Sequence, residues 1–229
     1  MNAVRKNDIP RKKGVMRQLG GHTPSRRAAM SQVVEAENAV SLRMIPGLAM
    51  KLAVEVGWRE VSAERLAEAS GIDAASIRAL YPDRGSLLVG LARLVDAQVL
   101  SQDILFGAQD LLKDRLLEIL ISRFEALRPY RPGLREVAEC WRKNPVESAD
   151  EMAASGRQMC RSLMWMACAA RAGANPCHMK RVALILSGIW VLAFRVWMQD
   201  DTHDLSRTLA SLDRLLTRSD SMLRDEPRL

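Results

Sequence analysis

The chain has 229 residues, with 34 Lys and Arg against 27 Asp and Glu and a formal net charge of +7. Apolar residues make up 48% and charged residues 27%, which excludes a disordered chain and describes a soluble globular one with a core of useful size. The charge excess is local. Residues 1–30 hold eight basic groups (Arg5, Lys6, Arg11, Lys12, Lys13, Arg17, Arg26, Arg27) and one acid, Asp8, so the rest of the chain sums to zero. A basic total points to nucleic acid or an anionic membrane, but here only through a tail.

Residues 1–32 are expected to be a disordered basic tail, rich in like charge and poor in large apolar groups. No apolar core segment marks a secretory signal, and the expected location is cytoplasmic. Cys140, Cys160, Cys168 and Cys177 form no CxxC pair and only three histidines are present, so no metal site and no cofactor is expected. The cysteines read as small buried residues in a reducing compartment.

From Val33 onward the periodicity is helical, without strand alternation or hairpin signals, and the fold class is all-α. The first unit, residues 33–100, opens with a helix over 46–56, where Leu48, Leu52 and Val56 recur every four residues. Gly57 ends it, and Trp58 is expected to fold back onto the core. Ser62 caps a short helix over 63–69, with Glu64 at its positive end. Gly71 takes the left-handed position after it. Asp73 caps a third helix over 74–81, Pro82 stops it, and Asp83 opens a long fourth helix to about Leu100.

Residues 101–229 are expected to form a second unit, with helices over 108–127, 132–143, 148–172, 178–199 and 203–218 and a polar, frayed end over 219–229. Short loops make neighbours roughly antiparallel. The most apolar run, Val182–Val196, contains Arg195 and falls short of the ~20 residues a membrane span needs. It reads as a buried helix, and no stable membrane insertion is expected.

Two short helices around a Gly-containing turn, flanked by two more helices, make a helix-turn-helix module. Leu66, Ala67, Ile72 and Ile77 would form the small core that fixes their crossing. From Ile45 to Leu88 the sequence resembles the TetR family of transcriptional regulators. The resemblance is carried by Glu55-Val56-Gly57-Trp58, Val61-Ser62, Leu66-Ala67-Glu68-Ala69-Ser70-Gly71-Ile72 and Tyr81-Pro82-Asp83-Arg84-Gly85-Ser86-Leu87-Leu88, without a gap. It implies a DNA-binding N-terminal unit and a C-terminal helical bundle that binds a small ligand and dimerises. On that basis Ser62, Asp73, Ala74, Ser76, Arg78, Tyr81 and Arg84 are the candidate DNA-binding residues.

The module departs from an ordinary operator binder in charge. Between Ala39 and Leu100 seven basic residues meet seven acids. Phosphate neutralisation supplies much of DNA affinity, so contacts rest on Arg78, Arg84 and the tail. Patches of the C-terminal half, Arg123-Phe124-Glu125-Ala126-Leu127-Arg128-Pro129-Tyr130-Arg131 and Trp197-Met198-Gln199-Asp200-Asp201-Thr202 among them, resemble a ubiquinone-biosynthesis accessory family with the same fold. That resemblance implies an alternative: a lipid-binding accessory protein without operator recognition.

On the expected helix 148–172, Met159 and Met166 fall near Trp165. On 178–199, Trp190, Phe194 and Trp197 share a face. These six are the candidate ligand-binding residues, lining an adaptable apolar pocket for a small-molecule or lipid effector; plain core packing is the competing reading. Helix 178–199 is apolar nearly all round, so the last two helices are the expected homodimer interface. Asp200-Asp201 reads as a capping turn. No nucleophile stands with a base and an orienting group, and no enzyme activity is expected.

Overall fold

The computed structural model describes the backbone of residues 26–102, 106–107, 109–173 and 175–223, and side chains from Ser41 onward. The expected disorder of residues 1–25 and the expected fraying of 224–229 lie outside the described residues. The chain clusters into two units, Met1–Glu37 and Asn38–Leu229. Of the first, residues 26–37 are described, and they are helical. The second unit holds both apolar cores.

Among the described residues the elements are helices, with no strand. They are α1 (Arg26–Val56), α2 (Ala63–Ser70), α3 (Ala74–Leu80), α4 (Arg84–Leu100), α5 (Leu112–Leu127), α6 (Arg131–Lys143), α7 (Ala149–Ala169), α8 (Pro176–Trp197) and α9 (Ser206–Leu223), with 3₁₀ turns at Trp58–Glu60 and Arg128–Tyr130.

The punctuation residues act as their chemistry requires. Ser62 Oγ accepts from the Arg65 N–H at 3.3 Å, and Gly71 ends α2 at φ 72°. Asp73 accepts from the Ser76 N–H at 3.0 Å. Asp83 and Ser86 form a reciprocal capping box at the start of α4. Each cap satisfies N–H groups that the first turn leaves without partners.

The first helix is longer than its sequence pattern indicates. Proline reads as a start signal because it lacks an N–H. Here Pro46 lies inside α1, and its ring packs at Gly90 of α4, where an added Cβ would come within 2.7 Å of it. One lost bond in a long run of good helix formers bends a helix more readily than it ends it. At the other end, α9 continues to Leu223, which is fully buried, past the expected stop at 218. The cysteines also depart from expectation: Cys160, Cys168 and Cys177 are exposed and Cys140 is half-buried. On α7 the buried face is set by Gln158, Ser162, Leu163, Met166 and Ala167, and positions 160 and 168 fall off it.

Two apolar cores meet along α4 and α6. The first joins Ile45, Ala49, Met50, Trp58, Leu66, Ile77, Leu87, Leu88 and Leu91 to Val137 of α6. The second joins Val95 and Val99 of the same α4 to α5, α7, α8 and α9, through Leu116, Phe124, Leu163, Met166, Leu186, Trp190, Trp197 and Leu212. One helix thus belongs to both cores, and it lies along α7.

The start of α9 hangs on one carboxylate. Asp200 is fully buried. Its Oδ2 accepts from the Thr208 N–H and hydroxyl, each at 2.7 Å. Its Oδ1 accepts from the Thr202 hydroxyl at 2.6 Å. Burial pushes its pKa up, but the hydrogen bonds from Thr202 and Thr208 outweigh that and bring it from 3.8 to about 2. A depressed folded-state value means the contribution is complete above the unfolded value and is lost as pH falls through the folded one. Asp200→Ala is expected to cost about 2 kcal/mol at pH 7. It should also flatten the loss of stability between about pH 4 and pH 2, as read by urea unfolding at both ends of that window.

Candidate functional site

The helix-turn-helix presents a short outward face. On α3, Ala75, Ser76, Arg78, Ala79 and Leu80 are exposed, while Ile77 is buried against α2 and α1. Of the candidate DNA-binding residues, Ser76 and Arg78 lie on this face. Ser62 and Asp73 spend their side chains as helix caps, and Ala74 is half-buried.

Tyr81 and Arg84 make contacts within the fold. Tyr81 is half-buried, with its ring over Gly90, where an added Cβ would come within 2.6 Å of it. Burial raises its pKa against the opposing pull of Arg93 and Arg43. Arg84 turns inward. Its Nε donates to Glu151 Oε1 at 2.8 Å, and its Nη1 donates to the Arg59 carbonyl at 2.8 Å. The other Glu151 oxygen accepts from the indole N–H of Trp58 at 2.9 Å and of Trp141 at 3.1 Å. Glu151 is 8% exposed, so one carboxylate fastens the turn after α1, the start of α4 and the end of α6 to the first turn of α7. Its negative charge also suits that helix end.

The neutrality seen in the sequence becomes local pairing. Arg59 meets Glu147 at 2.7 Å, Arg65 meets Glu60 at 3.4 Å, and Arg78 meets Glu64. A cleft of about 750 Å³ beside α3 carries Glu64, Asp83, Glu147, Asp150 and Glu151 against Arg78, Arg84 and Arg157. Its net sign repels a polyanion, so only the outer tip of α3 suits phosphate. The Arg78–Glu64 pair is half-exposed on both sides. Such surface pairs are worth about 1 kcal/mol or less, so a phosphate can take Arg78 from Glu64.

A second cavity, of about 330 Å³, lies between α4, α5, α6, α7 and α8. It brings together three of the six candidate ligand residues, Met159, Trp190 and Phe194, with Leu88, Leu91, Val137 and Trp141. The other three are placed elsewhere. Met166 and Trp197 are fully buried in the bundle core. Trp165 borders a separate hollow with Val99, Phe106 and Ile119. Trp190, Phe194 and Trp197 do form one aromatic cluster, with Phe194 6.0 Å from Trp190 and 5.4 Å from Trp197, and Phe124 joins it. Phe124 stacks on Trp190 at 4.4 Å between centroids and lies 5.6 Å from Trp197.

Arg123, absent from the candidate residues, borders the same cavity at 1% exposure. It pairs with Asp96 of α4, and its guanidinium sits 5.2 Å above the Trp190 ring. Asp96 in turn accepts from the Ser162 hydroxyl. A signal for its burial exists in the sequence: position 123 falls in register with Leu116, Leu120 and Leu127, the apolar stripe of α5.

Among the described residues no group of three or more His, Cys, Asp or Glu is placed to hold a metal ion. No helix among them is long and apolar enough to cross a membrane.

These features define a helix-turn-helix protein carrying a helical bundle with a half-open apolar pocket between its helices. The fold is that of TetR transcriptional regulators. The TetR transcriptional regulator from Nitrosomonas europaea ATCC 19718 is similar at a TM-score of 0.62 and 19% identity, over 79% of this chain and 98% of that one. A TetR transcriptional regulator from Rhodococcus sp. RHA1 is similar at a TM-score of 0.51 and 14% identity, over 79% of this chain and 96% of that one. No protein-family model and no curated protein matches the sequence.

Proposed function

We propose that this chain is a homodimeric, DNA-binding transcriptional regulator that works in the cytoplasm and responds to an apolar effector. The observation that carries the reading is the exposed face of α3, held by paired caps and set on a fold shared with two transcriptional regulators. A recognition helix must present its N-terminal half to a groove while a supporting helix fixes its angle. Ser76 and Arg78 are the side chains offered. The basic residues of the first unit supply the remaining phosphate contacts.

Dimerisation uses α8 and α9. Leu184, Val191 and Leu192 are 74%, 58% and 52% exposed, and Gly188 between them has no heavy atom within 4 Å of where a Cβ would stand. A contiguous apolar face of this kind is covered in a stable protein, and a second copy covers it self-complementarily. Effector entering the cavity presses on α7 at Met152, Ser155 and Met159. Glu151, next to Met152, carries that displacement to Trp58 and Arg84.

In this reading the Arg78–Glu64 pair restrains DNA affinity. Glu64→Gln is expected to tighten binding several-fold at 0.1 M salt, and Arg78→Ala to weaken it and lower the salt slope by about 1. Selection of bound sequences from random duplexes, followed by anisotropy titrations, measures both. Enrichment of a pseudo-palindromic site supports the reading, and a folded protein that enriches nothing removes it.

One specific observation favours a second reading. Arg84 is consumed by Glu151 and Arg78 is balanced by Glu64, which suits a lipid-binding accessory protein of quinone biosynthesis with no operator. Such a protein would co-purify with lipid and leave DNA unbound.

A further inference from the structure

α4 has a third face that neither core uses. Leu87, Leu88 and Leu91 enter the first core, Val95 and Val99 the second, and Val89 and Leu94 belong to neither. Those two line an open hollow of about 650 Å³, bounded also by Arg43 of α1, by Leu80 and Tyr81 at the end of α3, and by Ala154 of α7. Leu80 is 51% exposed. Other residues of α7 (Met152, Ser155, Gly156 and Met159) border the cavity between α4 and α8, so the hollow is a separate place.

Two cations meet there. Pro46 and Tyr81 both pack on Gly90, where α1 passes α4. Arg43 stands about one turn before Pro46, and Arg93 about one turn after Gly90; both border the hollow and both are exposed. Burial raises the pKa of the Tyr81 hydroxyl, and the charges of Arg93 and Arg43 both pull it the other way. Elsewhere in the helix-turn-helix, Arg59, Arg65, Arg78 and Arg84 are each held by a carboxylate. Arg43 and Arg93 form no ion pair among the described residues. One acid, Asp83, borders the hollow. It is engaged in capping α4 at Ser86, and the helix rises about 15 Å from there to Arg93.

That combination sets the chemistry of the occupant. A carboxylate is the natural partner of guanidinium groups, through charge-assisted hydrogen bonds. An apolar chain behind it takes Leu80, Val89, Leu94 and Ala97 out of water. A bare anion leaves that wall wet, and a cationic amphiphile meets two like charges. About 650 Å³ has room for roughly twenty water-sized groups at about 30 Å³ each, which accommodates a chain of about a dozen carbons. We propose that this hollow is a second ligand site, for a long-chain carboxylate whose head lies between Arg43 and Arg93 beside Tyr81 and whose chain runs over Leu80, Val89 and Leu94.

The test uses the full chain at pH 7.5 with its tyrosine rings labelled with carbon-13. The chain has two tyrosines, and Tyr81 borders the hollow while Tyr130 does not. Dodecanoate and dodecyltrimethylammonium share a chain and differ in the sign of the head. Below its micelle concentration, dodecanoate is expected to shift the Tyr81 signal and leave that of Tyr130 in place. It should bind there at least tenfold more tightly than the cation or acetate. The double substitution Arg43→Gln with Arg93→Gln, at two exposed positions, should weaken dodecanoate at least tenfold, and Leu80→Ser several-fold. Binding in the other cavity is read separately by tryptophan fluorescence, since Trp141 and Trp190 border that cavity and no tryptophan borders this hollow. A cation bound as tightly as dodecanoate, an unmoved Tyr81 signal, or an unchanged affinity in the double variant would overturn the proposal. A DNA duplex that moves Tyr81 where dodecanoate does not would overturn it too, and would make the two arginines a contact to the phosphate backbone.

Discussion

Glu151→Ala is expected to lower the unfolding free energy by about 3–5 kcal/mol, the cost of removing one partner of a buried, hydrogen-bonded charge pair. Three donors lose their acceptor at once: the Arg84 guanidinium and the indole N–H groups of Trp58 and Trp141. Trp58 is 1% exposed, so water cannot replace the carboxylate there without opening the first core. Glu151→Gln keeps the shape and one acceptor oxygen, and its amide nitrogen is a donor that opposes a donor on the other side. About half the loss is expected for it. Chemical unfolding followed by fluorescence measures both, because Trp58 and Trp141 touch the substituted group. An alanine variant within 1 kcal/mol of the parent would mean that the carboxylate does not fasten α7 to the helix-turn-helix.

Gly133→Ala is the second large effect. Gly133 begins α6 where that helix crosses α1, and an added Cβ would stand 2.3 Å from the Met50 carbonyl oxygen and 2.8 Å from its Cα and carbonyl carbon. The obstacle is backbone, which no side-chain rotation relieves. Overpacking a core costs about 1–3 kcal/mol and more where nothing can yield, so roughly 3 kcal/mol or more is expected, a Tm drop on the order of 10 °C. Gly156→Ala is the contrast. It also lies inside a helix, with nothing within 4 Å of the new Cβ, so the higher helix propensity of alanine should raise stability by up to about 1 kcal/mol. Paired thermal melts read the difference in sign.

Much of the helix-turn-helix is legible in the sequence because its determinants are local. Ser62, Gly71, Asp73 and Asp83 act within four residues of themselves, through caps and a left-handed turn. Residues whose roles depend on distant partners are not legible in the same way. Arg84 reads as a surface cation by its neighbours, and only the fold brings Glu151 to it across 67 positions. Trp190, Phe194 and Trp197 share a face and touch ring to ring as their spacing says, but Trp197 is fully buried in the core while the other two border the cavity, a difference set by packing against distant helices. Pro46 misleads in the opposite way: a strong local signal is overridden by the helical run around it. Arg123 is the middle case, since its place on an apolar stripe can be read, but not its partner Asp96.

The proposed function requires a charge-balanced helix-turn-helix to recognise DNA. The direct measurement is binding of the full chain to the duplex upstream of its own coding sequence, by anisotropy, across salt from about 0.05 to 0.3 M. The expected result is specific binding at low salt, a shallow log–log slope of only a few units from few phosphate contacts, and a slope smaller by about 1 in Arg78→Ala. A folded dimer that shows no preference for that duplex at the lowest salt would contradict it.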